Sequence, residues 1–305
     1  MFSVIFPGQG SQAVGMANDL YKKFNIVKEL FDEADSILGF SIKKLILEGP
    51  KEELNQTENT QPSIFLIGYS IFQLIKKEFA IDLNKAKFFA GHSLGEYTAL
   101  VCSGSLNIEQ AAYLLYERGK SMQEAVPPDQ GAMIAILGMS IDEVQKEINL
   151  LPKNQVCEIA NDNSIGQVVA SGDKKIIGIL NENLKIKKKR AITLPVSAPF
   201  HCSLMKEAAE KMKKKIENTK FLVPKPSIIS NVTAKAENDV NRIKPLLIDQ
   251  ITSRVRWKES IDYMINAGVT DFLEIGPGKV LSGLVKKINK QVNISNINSM
   301  EDIKK

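Results

Sequence analysis

Only two histidines, His92 and His201, and three cysteines, Cys102, Cys157 and Cys202, occur in 305 residues. So small a stock of metal-ligating and general-base side chains narrows the chemistry before any motif is read. The cysteines are odd in number, far apart and without metal-site spacing, which points away from a disulfide framework or a metal centre and toward free thiols in a reducing cytoplasm. No apolar run is long enough to span a bilayer. The opening stretch Met1-Phe2-Ser3-Val4-Ile5-Phe6-Pro7 lacks the basic start and small-residue cleavage site of a signal peptide, and it reads as a first buried strand. Charge of one sign is scarce too: the net +5 is spread along the chain, and its densest basic run is Lys185-Ile186-Lys187-Lys188-Lys189-Arg190. That run has no interleaved aromatics and no nucleic-acid motif accompanies it, so a nucleic-acid partner is not expected. It is either a solvated face or a docking patch for an acidic partner.

What is present is an alternation of short apolar strands with amphipathic helices, the pattern of an α/β fold. Helical pattern is expected over 28–37 and 63–77, with Pro62 near the start of the second, and again from about Asn107 to Ala125. Pro127-Pro128-Asp129-Gln130-Gly131 then breaks the chain. Between there and Leu194 the order reads β-α-β-β-α-β, with Ser140 and Glu143 spaced as a capping box at the first helix, which is the ferredoxin-like order. The expected fold class is therefore α/β, with an α/β-hydrolase-like large domain (residues 1–127 and 199–305) carrying an inserted ferredoxin-like small domain (residues 128–198). No internal repeat or low-complexity segment is evident.

Gly91-His92-Ser93-Leu94-Gly95 places one serine between two glycines, after the apolar run Phe88-Phe89-Ala90 and before a helix-favouring stretch. A strand, a sharp turn and a helix would lift Ser93 onto an exposed, strained corner, the geometry of a nucleophile elbow; the alternative is a chance match in a surface turn. A serine hydroxyl needs a base. His92 is its immediate neighbour and leaves the elbow in another direction, so a histidine base has to be His201, which otherwise is an ordinary loop histidine. Oxyanion donors would be the backbone N–H of Leu94 and, from the glycine-flanked loop Pro7-Gly8-Gln9-Gly10-Ser11-Gln12, that of Gln9. The same loop lacks the lysine and the spacing of a phosphate cradle. Arg118 shares a helix face with Leu115 and Met122, so it points inward. A buried guanidinium there meets either a substrate carboxylate or a protein carboxylate in a structural ion pair.

Taken together, these segments resemble the malonyl-CoA:acyl-carrier-protein transacylases over nearly the whole chain. The match is carried by Pro7 to Gln12, Thr60-Gln61-Pro62, Gly91 to Tyr97, Arg118-Gly119 with Met122-Gln123, Gly131-Ala132-Met133, Asn161 through Gly172, Pro199-Phe200-His201 and Glu274 to Gly278. The resemblance implies a Ser93–His201 dyad, a malonyl carboxylate held by Arg118, and the main-chain carbonyl of Gln250 orienting the histidine in place of an acid. It implies a ping-pong transfer from malonyl-CoA to the phosphopantetheine thiol of acyl carrier protein in fatty acid synthesis. No cofactor is expected, since both thioesters enter as substrates; the acidic carrier would dock near Lys185, Lys187, Lys188, Lys189 and Arg190. Asp162 stands where an aromatic or histidine is frequent in the family and Arg254 where proline is. Bulky Phe200 resembles the choice of malonyl-specific members and would crowd a 2-methyl branch. A serine esterase or thioesterase, a free-standing polyketide acyltransferase and a silent carrier-docking module are the rival readings.

Overall fold

From Ser3 to Phe6 the first strand has no exposed residue, and its side chains alternate between two cores: Val4 and Phe6 enter one, Ile5 the other. Burial on both faces is what a central parallel strand requires. The computed structural model describes residues 1–196 and 198–303; Ser197, which falls in the expected small-domain range, and the last two residues lie outside the described residues. Among the described residues the strands are β1 (Phe2–Phe6), β2 (Phe89–Gly91), β3 (Gly131–Leu137), β4 (Cys157–Ser164), β5 (Gln167–Asp173), β6 (Arg190–Thr193), β7 (Ile228–Ile229), β8 (Ala236–Glu237), β9 (Asp271–Ile275) and β10 (Asn293–Ile297). They form one sheet of order β10-β9-β1-β2-β7-β8 and a second of order β4-β5-β3-β6. In the first sheet β10, β9, β1, β2 and β7 are parallel and β8 is antiparallel at the edge. The molecule is thus a mixed α/β fold built on a parallel sheet.

The second sheet pairs antiparallel throughout. Its period-two pattern again has two destinations. Ile134, Ile136, Val168 and Ala170 pack with Val144, Ile148, Ile176 and Leu180 of the helices Ile141–Asn149 and Lys174–Ile186. Met133, Ala135 and Val169 face the other way and join the core of the large sheet. The capping box expected at Ser140 and Glu143 is present. β4 also ties the second sheet to the segment that leads into the helix Trp257–Asn266, because Val255 N–H donates to Ala160 O (2.8 Å) and Asp162 N–H to Val255 O (3.0 Å).

Two of the elements that differ from expectation have a clear physical reason. The helix expected from Ser63 begins at Thr57 and runs to Glu78, so Pro62 lies inside it. A proline there removes one main-chain hydrogen bond. The turn before it is held by burial of Thr57, Thr60 and Gln61 and by the Thr60 hydroxyl donating to Leu54 O, neither of which periodicity reports. β10 was not expected at all. Its sequence, Asn293-Ile294-Ser295-Asn296-Ile297, is half polar because it is a partly exposed edge strand paired only with β9.

Candidate active site

The carboxyl end of β2 leads straight into the turn that carries Ser93, and the helix Gly95–Cys102 follows it. Ser93 has φ 54°, in the left-handed region that a non-glycine residue enters at a cost of roughly 1 kcal/mol or more. The turn is so tight that a Cβ on Gly91 would lie 1.9 Å from the main chain of Gly95, and a Cβ on Gly8 would lie 2.6 Å from His92 O. The first contact closes the elbow. The second seats the Gln9 loop directly on it. Leu94 is the buried residue that opens the helix, so its N–H lies at a helix N-terminus, where partial positive charge accumulates.

Ser93 Oγ is 2.8 Å from His201 Nε2, and His201 Nδ1 is 2.8 Å from Gln250 O. A carbonyl only accepts, so Nδ1 carries the proton and the Nε2 lone pair faces the serine hydroxyl. The position behind the histidine is occupied by a main-chain oxygen. Burial first, and the nearby Arg118 charge second, push the His201 imidazole down to about 3. His201 is therefore neutral near pH 7, the form a general base needs. His201 also has positive φ, 58°. His92 does turn away from the serine: its Nε2 lies 2.9 Å from Asn163 Oδ1 and its ring packs on Trp257 at 5.5 Å.

Arg118 is 1% exposed. It comes from the helix Ile108–Glu124, whose start is fixed by a capping box of Asn107 and Gln110. Its Nη1 donates to Gln61 Oε1 (2.8 Å), and its Nη2 donates to Gln250 Oε1 (2.9 Å) and to Ser93 Oγ (3.2 Å). The guanidinium stacks over Tyr97 at 5.8 Å, and Nε has no partner. No carboxylate forms an ion pair with it among the described residues. The structural ion pair left open by the sequence is absent, and neutral amides take its place.

A cavity of about 190 Å³ opens between the two sheets, lined by Gln9, Ser93, Arg118, Met133, Phe200 and His201 among others. The site residues read from the sequence thus converge: Ser93, His201, Gln9, Arg118 and Phe200 line one cavity, with Leu94 and Gln250 buried beside it. The basic run does not join them. Lys185 to Arg190 is exposed, Lys185 pairs with Glu182 (2.7 Å), and Lys187 pairs with Glu147 (2.6 Å). Three residues went without a role. Gln61 fixes Arg118. Asn231 Oδ1 accepts from Ser93 N–H (2.7 Å) while its Nδ2 donates to Gly91 O (2.8 Å), bracing the elbow from the turn after β7. Buried Glu96 accepts through Oε2 from Gln250 Nε2 (2.7 Å) and Asn231 N–H (3.0 Å). Gln61 and Glu96 lie inside motifs that were recognised; Asn231, just past a buried strand, carries no signal beyond that position.

A serine on a strained strand-to-helix turn, bonded to a buried neutral histidine at the carboxyl edge of a parallel sheet, is the arrangement of an acyl-transferring α/β enzyme. The chain matches the family described as acyl transferase domain over residues 3–304. It belongs to that family, in the branch of the malonyl CoA-acyl carrier protein transacylases. The protein so named in Bacillus subtilis (strain 168) is 44% identical over 98% of this chain and 94% of its own length. The acyl-carrier-protein-S-malonyltransferase from Bartonella henselae superposes with a TM-score of 0.96 at 38% identity, over 99% of this chain and 97% of that one. A malonyl-transacylase solved in complex with a type II PKS acyl-carrier protein superposes with a TM-score of 0.95 at 38% identity, over 99% and 97%.

Proposed function

We propose that this protein transfers the malonyl group of malonyl-CoA to the phosphopantetheine thiol of acyl carrier protein, through a malonyl-serine intermediate, for fatty acid synthesis. The observation that carries the reading is a buried arginine that pairs with no carboxylate among the described residues, in the same cavity as a serine–histidine pair. In the first half-reaction His201 Nε2 takes the Ser93 proton as Oγ attacks the thioester carbonyl. The tetrahedral oxyanion is held by the N–H groups of Gln9 and Leu94, and His201 returns the proton to the departing CoA thiolate. In the second, His201 takes the proton of the carrier thiol, whose sulfur attacks the malonyl ester, and gives it back to Ser93. Gln250 O holds the imidazole in the required tautomer, and stabilises the imidazolium while it lasts. Arg118, which lines the cavity and reaches Ser93 Oγ through Nη2, would hold the malonyl carboxylate. Phe200 at the cavity wall would disfavour a 2-methyl branch by about 1–3 kcal/mol.

No cofactor enters these steps. Three free thiols and the absence of a membrane-crossing helix among the described residues accord with a cytoplasmic enzyme. The strand order β4-β5-β3-β6, with a helix between its first two and last two strands in sequence, supports a ferredoxin-like small domain spanning 128–198. The parallel sheet with its elbow supports an α/β-hydrolase-like large domain formed by 1–127 and 199–305. A polyketide carrier is a second reading, favoured by the likeness to the transacylase bound to a type II PKS acyl-carrier protein.

Mixing enzyme with malonyl-CoA is expected to release one rapid equivalent of CoA, leave a malonyl mass on Ser93, and then stall until carrier protein is added. Steady CoA release without any thiol acceptor would mean a hydrolase, and no adduct on Ser93 would mean a silent docking module.

A further inference from the structure

Arg118 and Glu96 are both 1% exposed, and neither has an ion-pair partner among the described residues. A buried cation and a buried anion each without a direct partner are both costly. One side chain lies between them. Gln250 accepts from Arg118 Nη2 through Oε1 (2.9 Å) and donates to Glu96 Oε2 through Nε2 (2.7 Å). Its amide cannot flip without setting donor against donor at Arg118 and acceptor against acceptor at Glu96. The same Glu96 oxygen takes Asn231 N–H, and Asn231 in turn takes Ser93 N–H. The dyad described above makes no use of this carboxylate.

We propose that Glu96 is the resident counter-charge of Arg118, relayed through Gln250, and that it takes up a proton from water when the malonyl carboxylate occupies the cavity. The inference rests on the malonyl reading of Arg118. With Glu96 ionised, the empty site holds one buried cation and one buried anion. Bringing in a second anion without a proton would leave one buried negative charge in excess. The substrate carboxylate lies against Arg118 directly, whereas Glu96 is one amide removed, so Glu96 is the group that is neutralised. Acetyl loading brings no charge and asks for no proton.

The surroundings set the window. Burial raises the Glu96 carboxyl to about 7; the hydrogen bonds from Asn231 and Gln250 and the charge of Arg118 oppose the rise, and Glu237 adds to it. Glu237, on β8, is itself paired with Arg242 at 2.8 Å. Tyr97, the other titratable group facing Glu96, is pushed up to about 12 and stays neutral. Near neutrality Glu96 is therefore divided between its two forms in the empty site. The ionised form compensates Arg118; the protonated form leaves Arg118 open to an anion. Raising the pH ionises Glu96 and weakens malonyl loading. Lowering it has the opposite effect. Glu96 is a positioning and charge-setting residue for the arginine, not a group that touches the reacting atoms.

The test compares acyl-enzyme formation from malonyl-CoA and acetyl-CoA, by quenched intact-mass measurement, from about pH 6 to pH 8.5. The Ser93–His201 chemistry is common to both substrates, so its own titration cancels in the malonyl-to-acetyl ratio. In the wild-type enzyme that ratio is expected to fall as pH rises, by at most about tenfold per pH unit. In Glu96→Gln, which keeps an acceptor oxygen for Gln250 and Asn231 but carries no charge, it is expected to be flat and to lie above the wild-type value at the alkaline end. A flat ratio in the wild type, or the same slope in both proteins, would overturn the proposal. A second measurement needs no variant. Mixing wild-type enzyme with malonyl-CoA in weak buffer near neutrality should take up protons in step with the acyl-enzyme, and acetyl-CoA should not. Equal proton traffic with both substrates would also overturn it. Absence of any malonyl adduct in the wild type would instead remove the malonyl reading on which the inference stands.

Discussion

Ser93 and His201 both sit at positive φ, and both are locked there by neighbours far away in the chain. Asn231 holds the Ser93 amide and Gln250 the His201 ring. Two strained residues held by other elements are pre-organised, so little rearrangement is left for the reaction itself. Arg118 acts on this pair in two ways. Its Nη2 bonds Ser93 Oγ, and its charge helps to keep His201 unprotonated. Arg118→Ala is expected to reduce malonyl loading by a factor on the order of a hundred or more, the scale of losing a charge-assisted bidentate contact, while acetyl loading gains relative to it. The sign of the pH effect follows from the same charge. A histidine whose pKa is lowered stays a competent base down to acid pH, so the wild-type acid limb is expected well below pH 6.5. Removing the arginine lets the His201 pKa rise, and the acid limb for acetyl loading should move up. An unchanged limb, measured as acyl-enzyme rate against pH, would place the Arg118 charge too far from the imidazole to matter. At this scale the sequence was informative about the groups proposed to react. Two histidines left one candidate base, and helix periodicity turned Arg118 inward. It was silent on Gln61, Asn231 and Glu96 as partners, because a hydrogen bond across 57, 138 or 154 positions leaves no local pattern.

The helix Thr57–Glu78 and the helix Ile108–Glu124 meet at Gly119, where a Cβ would lie 2.5 Å from Thr57 O and 2.6 Å from Glu58 Cα. That approach brings Gln61, one turn on, within reach of Arg118. In an exposed helix interior Gly→Ala stabilises by about 1 kcal/mol. Here the methyl group would meet main chain rather than a movable side chain, so Gly119→Ala is expected to destabilise by about 1–3 kcal/mol in urea unfolding. It should also lower malonyl loading more than acetyl loading, because the Gln61–Arg118 bond is lengthened. Stabilisation, or equal losses on both substrates, would show that the helix contact does not set the arginine. Elements with a strong internal pattern were legible: β1, the elbow, the helix of Arg118 and the capped helix at Ser140. The start at Thr57 and the edge strand β10 were not, since the one is fixed by contact with another helix and the other by pairing with β9.

Across the molecule, the alternation of β3 does two jobs. Ile134 and Ile136 fill the smaller core, while Met133 and Ala135 close onto the large sheet, and Met133 lines the cavity. The cleft is therefore a consequence of one sheet being buried on both faces. β6 leads into Leu194, Pro195 and Val196, which also line the cavity, and it begins at the exposed basic run. Within the run, Lys188, Lys189 and Arg190 form no ion pair among the described residues, so if an acidic carrier docks there these three are the charges left to attract it. Reversing them to glutamate is expected to lower kcat/KM for the carrier protein several-fold and to flatten its salt dependence. Transfer to free pantetheine, an uncharged acceptor, should be unchanged. An unaltered salt dependence would return the run to a solvated surface.

The residues by themselves determined an α/β chain, a serine elbow, one available histidine and an inward-facing arginine. Each of these is written in neighbours along the chain: a period of two or 3.6, a pair of glycines around a turn, the count of a residue type. What only the tertiary structure decided is the charge balance behind the serine. Arg118 meets amides rather than a carboxylate, and Glu96 lies one amide away from it. Burial, hydrogen-bond direction and electrostatic compensation depend on distances through space between segments remote in sequence, and folding sets those distances.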